Sequence, residues 1–250
     1  MAGITRVVAI GASNLTRGFQ TVVATARTAW GPDVQVVAAL GHGRSYGADS
    51  AFLFRRLPAI LQSEIWGHLD SMPAVPTKVL VADVGNDIVY GFPPGQILAW
   101  VDEALTRLAR VSDDIVLTDL PMDSIRRLSP WHFRTARSVF FPSCRLSFEE
   151  IVATAEQVNT GLADLAGAHR ARFLHLRPSW YGFDPIHIRP SLWPAAWQEI
   201  LGISCPAPRS RTEALRLYAM RPERQWLFGV EQRTTQVGAR LRGGGRVWLY

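Results

Sequence analysis

Residues 6–18 read RVVAIGASNLTRG. Val7, Val8, Ala9 and Ile10 form an unbroken apolar run. It is too short for a helix and lacks the polar–apolar alternation of a half-exposed strand. Such a run suits a parallel strand buried on both faces. Gly11 ends it, and helical spacing of apolar residues follows over residues 19–30. A strand, a glycine turn and a helix open a βαβ unit.

Outward from this unit the pattern repeats. Runs rich in β-branched residues occur at 34–39, 78–82, 114–118 and 172–176. Helical patterns fall at 48–66, 95–110, 148–169 and 193–201. The alternation implies right-handed crossovers and an α/β fold. The expected architecture is a three-layer α/β/α sandwich. Its sheet has five parallel strands in the flavodoxin-like order 2-1-3-4-5.

Two segments depart from the alternation. Residues 121–147 carry Trp131, Phe133, Phe140 and Phe141 with three prolines. This is long for an αβ connection, so it is either a lid or a surface loop with its own apolar cluster. Residues 205–250 begin with a linker-like CPAPRSR and continue as a short helical piece. Strand-like runs follow at 225–230, 238–242 and 247–250, the last two joined by Gly243-Gly244-Gly245. The expected division is a main domain, 1–204, and a β extension, 205–250, packed on that domain or on a partner subunit. Homo-oligomerisation through the extension is therefore one expectation.

Composition narrows the function classes. The 250 residues are 48% hydrophobic and 19% charged, which excludes a largely disordered chain. No apolar run reaches membrane-spanning length, and no secretory signal is visible at MAGITRVVAIGAS. Cys144 and Cys205 offer neither a disulfide framework nor a zinc site, so a cytoplasmic setting is expected. The net charge is +6, and 26 of the 27 basic residues are Arg. Nine Arg and three Glu place that whole excess in residues 205–250. Trp226, Leu227, Phe228, Val247, Trp248 and Leu249 make the segment too apolar for a solvated nucleic-acid arm, so nucleic acid is not an expected partner.

Ligands of open α/β sheets bind at the carboxyl ends of the strands. The loops there are Gly11–Gly18, Gly41–Gly47 (GHGRSYG), Gly85-Asn86-Asp87 and the YGFDPIHIRP stretch with Asp184 and His187. Together they supply a nucleophile, a base, an acid to orient it and donors for an oxyanion, which is the inventory of acyl transfer. Each has a plainer reading. Ser13 and Asn14 suit a helix cap, Asn86 and Asp87 suit a turn, and Asp184-Pro185 opens turns.

Four such blocks in this order resemble the SGNH hydrolases, the superfamily that includes the GDSL esterases and lipases. The blocks are Gly11-Ala12-Ser13-Asn14-Leu15-Thr16, Gly43 within Gly43-Arg44-Ser45, Gly85-Asn86-Asp87, and Asp184-Pro185-Ile186-His187. The resemblance spans residues 11 to 187 and omits the C-terminal extension. It implies cleavage of a carboxylic ester, with a small acyl group such as acetyl favoured, through an acyl-enzyme on Ser13. His187 would be the base and Asp184 its orienting acid. The Ser13 and Gly43 N–H groups and the Asn86 amide would form the oxyanion hole. Asn14, Arg44, Trp180, Tyr181 and Phe183 are substrate-pocket candidates, although the aromatic residues equally suit core packing. No metal or organic cofactor is implied, and the expected partner is a small ester.

One departure stands out: Ala12 occupies the position where the family has Asp. That substitution motivates a non-catalytic binding protein as an alternative. A second alternative is a nucleotide-cofactor oxidoreductase. It would use Gly41–Gly47 as a phosphate loop, Arg44 on the phosphate and Glu64 on a ribose. It leaves Ser13, Asn86 and the Asp184–His187 pair without a task.

Overall fold

The computed structural model describes residues 3–129, 144–204 and 211–250. Its central sheet has seven strands, two more than the sequence pattern suggests. The five expected ones are β1 (Arg6–Ile10), β2 (Gln35–Ala39), β5 (Thr77–Val81), β6 (Ile115–Thr118) and β7 (Arg172–Leu174). They are all parallel and lie in the order β2-β1-β5-β6-β7. The additional pair is β10 (Ala239–Arg240) and β11 (Arg246–Leu249). β11 runs parallel to β2, and β10 returns antiparallel beyond it. Gly244 N–H donates to Leu241 O in the intervening turn. The extension thus supplies one edge of the main sheet.

The missing polar alternation in β1 has a direct cause. Val8 and Ile10 point into one buried layer, with Val37, Val79, Val101 and Leu162. Val7 and Ala9 point into the other, with Val22, Val23, Trp197 and Leu249. Helices Pro94–Leu108 and Phe148–Ala168 contribute to the first layer. Helices α1 (Ser13–Trp30) and Trp193–Leu201 contribute to the second. Burying such side chains is worth about 1.5–3 kcal/mol each, so a strand covered on both faces gains from every apolar position. Ser147 starts the longest helix with a capping box. Its Oγ accepts from Glu150 N–H, and Glu150 accepts from Ser147 N–H.

The helix expected over 48–66 does not form. That stretch folds into the hairpin β3 (Ser50–Phe52) and β4 (Arg55–Leu57), a short 3-10 turn and a helix over Ile65–Ser71. Pro58 interrupts the helical spacing. The hairpin is also claimed by distant chain: β4 pairs with β8 (Arg224–Leu227), which pairs with β9 (Val230–Arg233). A second, antiparallel sheet results, ordered β3-β4-β8-β9. Arg56 caps the Trp226 ring at 4.1 Å across this pairing.

Within 121–147, Met122–Arg126 is helical and Cys144 is buried. The expected lid lies largely in residues 130–143, outside the described residues, as does Cys205. Among the described residues no helix is long and apolar enough to cross a membrane.

Candidate active site

β1, β2, β5 and β7 all point their carboxyl ends toward one edge. Ser13 is the first residue of α1, straight after the glycine turn that leaves β1. His187 lies in the loop beyond β7, and its Nε2 is 2.9 Å from Ser13 Oγ. Its Nδ1 is 2.6 Å from Asp184 Oδ2. Asp184 Oδ1 accepts from the backbone N–H groups of Ile186 and His187, each at 3.2 Å. The three-residue offset therefore makes a closed turn in which Asp184 fixes both the loop and the imidazole. Burial pushes the Asp184 carboxyl up, but hydrogen bonds and charge from His187, the Ile186 N–H and Arg17 outweigh it and hold the group below its ordinary range.

Sequence reasoning missed Asp83. Its carboxylate accepts from Ala12 N–H and Leu15 N–H, both at 3.0 Å, and from Asn14 Nδ2 at 2.9 Å. It sits in the left-handed region at φ 61°, which Asp tolerates better than most residues. The polar group absent at position 12 is thus supplied from the end of β5. The signal was present as a charged residue directly after an apolar run, two positions before Gly85. Asn14 extends the same network. Its Nδ2 also donates to Ile186 O at 2.8 Å, and its Oδ1 accepts from Ile188 N–H at 2.8 Å. Asn14 therefore ties the serine turn to the histidine loop.

The second and third blocks meet at Arg44. Asn86 Nδ2 donates to Arg44 O at 3.4 Å. Gly43 has φ 66°, and its carbonyl accepts from Tyr90 Oη at 2.6 Å. A Cβ at residue 43 would lie 2.9 Å from Tyr90 Oη and 3.3 Å from Phe52 Cβ, so only glycine fits there. His42 packs near the Phe52 ring at 5.7 Å. Burial, with help from Arg17, Arg55 and His187, lowers its pKa to about 4. It stays neutral and adds no charge beside His187. Asp87 is fully buried and accepts from Ser45 Oγ and Tyr46 N–H, and burial raises its pKa to about 6.

Several candidates are placed elsewhere. Arg44 is fully buried; its guanidinium donates to the carbonyls of Leu40, Pro58 and Tyr250, so it faces neither substrate nor phosphate. Glu64 occupies the N-cap position of the helix Ile65–Ser71, not the end of a strand. Trp180 and Tyr181 are buried in the layer with Leu15 and Ile188. Phe183 is 87% exposed beside Asp184. A cavity of about 710 Å³ lies over the ends of β6 and β7. Asp119, Asn159 and His175 line it, and Ser13 and His187 do not. Among the described residues no cluster of His, Cys, Asp and Glu has the makings of a metal site.

No family model matches the chain, and no curated protein matches it in sequence. Solved structures do match. A member of the lipolytic protein G-D-S-L family from Veillonella parvula superimposes with a TM-score of 0.51 at 10% identity, covering 80% of this chain and 97% of that one. The chain has the fold of the G-D-S-L lipolytic proteins, the SGNH fold. AlinE4, an SGNH-hydrolase family esterase, covers 88% of this chain and 100% of its own at 18% identity, with a TM-score of 0.45. The psychrotrophic esterase EstA from Pseudoalteromonas sp. covers 84% and 98% at 12% identity, with a TM-score of 0.44.

Proposed function

We propose that the protein is a serine esterase that cleaves a carboxylic ester through an acyl-enzyme on Ser13. The observation that carries this reading is the chain of contacts Ser13 Oγ, His187 Nε2, His187 Nδ1 and Asp184 Oδ2, at 2.9 and 2.6 Å. A serine hydroxyl is a weak nucleophile until a base takes its proton. His187 takes that proton as Ser13 Oγ attacks the ester carbonyl, and the imidazolium that forms is stabilised by Asp184. The tetrahedral intermediate puts negative charge on the former carbonyl oxygen. The Ser13 and Gly43 N–H groups and the Asn86 amide are its donors. Collapse expels the alcohol, which receives the proton from His187. Water, activated by the same His187, then releases the acid and restores Ser13.

The Asp83 carboxylate beneath the serine turn supports catalysis over a binding-only role, because it answers the absence of Asp at position 12. A small acyl group such as acetyl is the acid side that the resemblance to the SGNH esterases implies. A cytoplasmic setting fits Cys144, a buried free thiol. The test is turnover of p-nitrophenyl acetate by Ser13→Ala, His187→Ala and the double variant. Each single change is expected to remove nearly all hydrolysis, with the double little worse, because the pair acts as a unit. Wild-type turnover in Ser13→Ala contradicts the reading.

A further inference from the structure

Two arginines at the candidate active site have no full partner. Arg17 lies one turn after Ser13 on α1, so the two residues share a helix face. Its Nη1 is 3.7 Å from Asp184 Oδ2, an ion pair too long for a hydrogen bond. The side chain is 42% exposed, and among the described residues its guanidinium donates to no acceptor. Its N–H groups are therefore open to a ligand.

Arg55 approaches from the small sheet. Phe52 and Arg55 are directly paired across the β3–β4 hairpin, and Leu57 follows two residues along β4. All three therefore share one face. That face lies on the glycine loop after β2: Phe52 packs on Gly43 and His42, and Leu57 packs on Gly41. Arg56, on the opposite face, is accounted for by the Trp226 ring and by Asp49 at 3.9 Å. Arg55 is not. Among the described residues no carboxylate pairs with it, and its Nε is shut off from solvent without an acceptor. His42 registers both guanidinium groups, since the charges of Arg17 and Arg55 oppose its protonation. Both arginines are thus within electrostatic reach of the residue next to Gly43. The acidic groups near them are already engaged: Asp184 by His187, Asp83 by the serine turn and Asp49 by Arg56.

We propose that Arg17, supported by Arg55, selects an ester whose alcohol side carries an anionic group, a carboxylate or a phosphate. The proposal rests on the esterase reading. The alcohol leaves with a proton from His187, so it lies on the His187 side of the reacting carbonyl. Arg17 stands on that side, beside Asp184. A guanidinium grips carboxylate or phosphate oxygens through paired, charge-assisted hydrogen bonds. Arg17 is the contact, and Arg55 adds attraction from the glycine-loop side.

The experiment compares 4-acetoxybenzoate and 4-acetoxyphenyl phosphate with the neutral 4-acetoxybenzamide. It uses wild type, Arg17→Gln, Arg17→Lys and Arg55→Gln. Each kcat/KM is divided by that ester's own hydroxide-catalysed rate, and the readout is the ratio of anionic to neutral ester. A loss of folding or of general activity cancels in this ratio. Wild type is expected to prefer at least one anionic ester by ~10-fold or more, and the higher ratio identifies the group that the site takes. Arg17→Gln should remove most of that preference, Arg17→Lys should keep part of it, and Arg55→Gln should lower it by about 3-fold. Titration calorimetry of the same three compounds into Ser13→Ala, with and without Arg17→Gln, repeats the comparison without turnover. Anions that bind ~10-fold tighter there, in a protein that hydrolyses none of the esters, contradict the esterase reading alone. Hydrolysis with no preference for either anion overturns the arginine proposal alone, as does a preference that Arg17→Gln leaves unchanged.

Discussion

Two His–Asp pairs stand at the same edge of the sheet, one between the ends of β6 and β7 and one in the loop beyond β7. In both, the imidazole Nδ1 meets an Asp Oδ2, at 2.6 Å for His187–Asp184 and 2.9 Å for His175–Asp119. In both, the second carboxylate oxygen accepts from a backbone N–H of the same loop. They part at the other ring nitrogen. His187 is 15% exposed and turns Nε2 onto Ser13 Oγ, whereas His175 is 78% exposed and packs edge-on against Phe173. Burial keeps the Asp119 carboxyl above its ordinary range, while the hydrogen bonds and charges around Asp184 hold it below. A His–Asp pair is therefore a common loop device. It becomes catalytic machinery only where a nucleophile is held at hydrogen-bond distance from the free nitrogen.

The largest expected effect separates the two histidines. His187→Ala should lower kcat/KM for p-nitrophenyl acetate by about 10⁴-fold or more, while His175→Ala stays within a factor of about two. Comparable losses in both would erase the distinction. The carboxylates come next. Asp184→Asn should cost about 10³–10⁴ in kcat, because the amide neither fixes the working tautomer nor stabilises the imidazolium. Asp119→Asn should leave kcat near wild type and show itself in Tm alone. Asn86→Ala should lower kcat by about 10²–10³ with little change in KM if its amide serves the oxyanion. A lower Tm with intact kcat would return Asn86 to the role of a turn residue.

The smallest effect concerns stability. Asp87 has a folded pKa near 6 against an ordinary value of 3.8. Between those values the unfolded chain has released a proton that the folded one retains, so stability falls as pH rises. The loss should reach about 3 kcal/mol, and Asp87→Asn should flatten the slope. A wild-type stability curve flat from pH 4 to 6, measured by urea unfolding, would contradict this.

The parallel strands were legible because burial on both faces leaves a local mark, as in Val7–Ile10, and the helix Trp193–Leu201 fell where its apolar spacing put it. Ser13, Asp184 and His187 could be nominated from the sequence because each falls between a run read as a strand and the next helical pattern, and the structure brings the three side chains together. What was not legible depends on distant partners. Residues 50–57 look helical by spacing and become a hairpin through pairing with 224–227, roughly 170 positions away. Asp83 has no motif of its own, and only the fold shows it under Ala12 and Leu15. Arg44 looked available for substrate because its sequence says nothing of the three carbonyls that enclose it.

The proposed catalysis requires Ser13 to be activated by His187 in the folded protein. Reaction with a fluorophosphonate, followed by peptide mass spectrometry, measures that directly. The expected result is one covalent adduct, on Ser13, abolished by Ser13→Ala and by His187→Ala but retained in His175→Ala. Folded wild-type protein that takes no label, or takes it on another residue, would contradict the account.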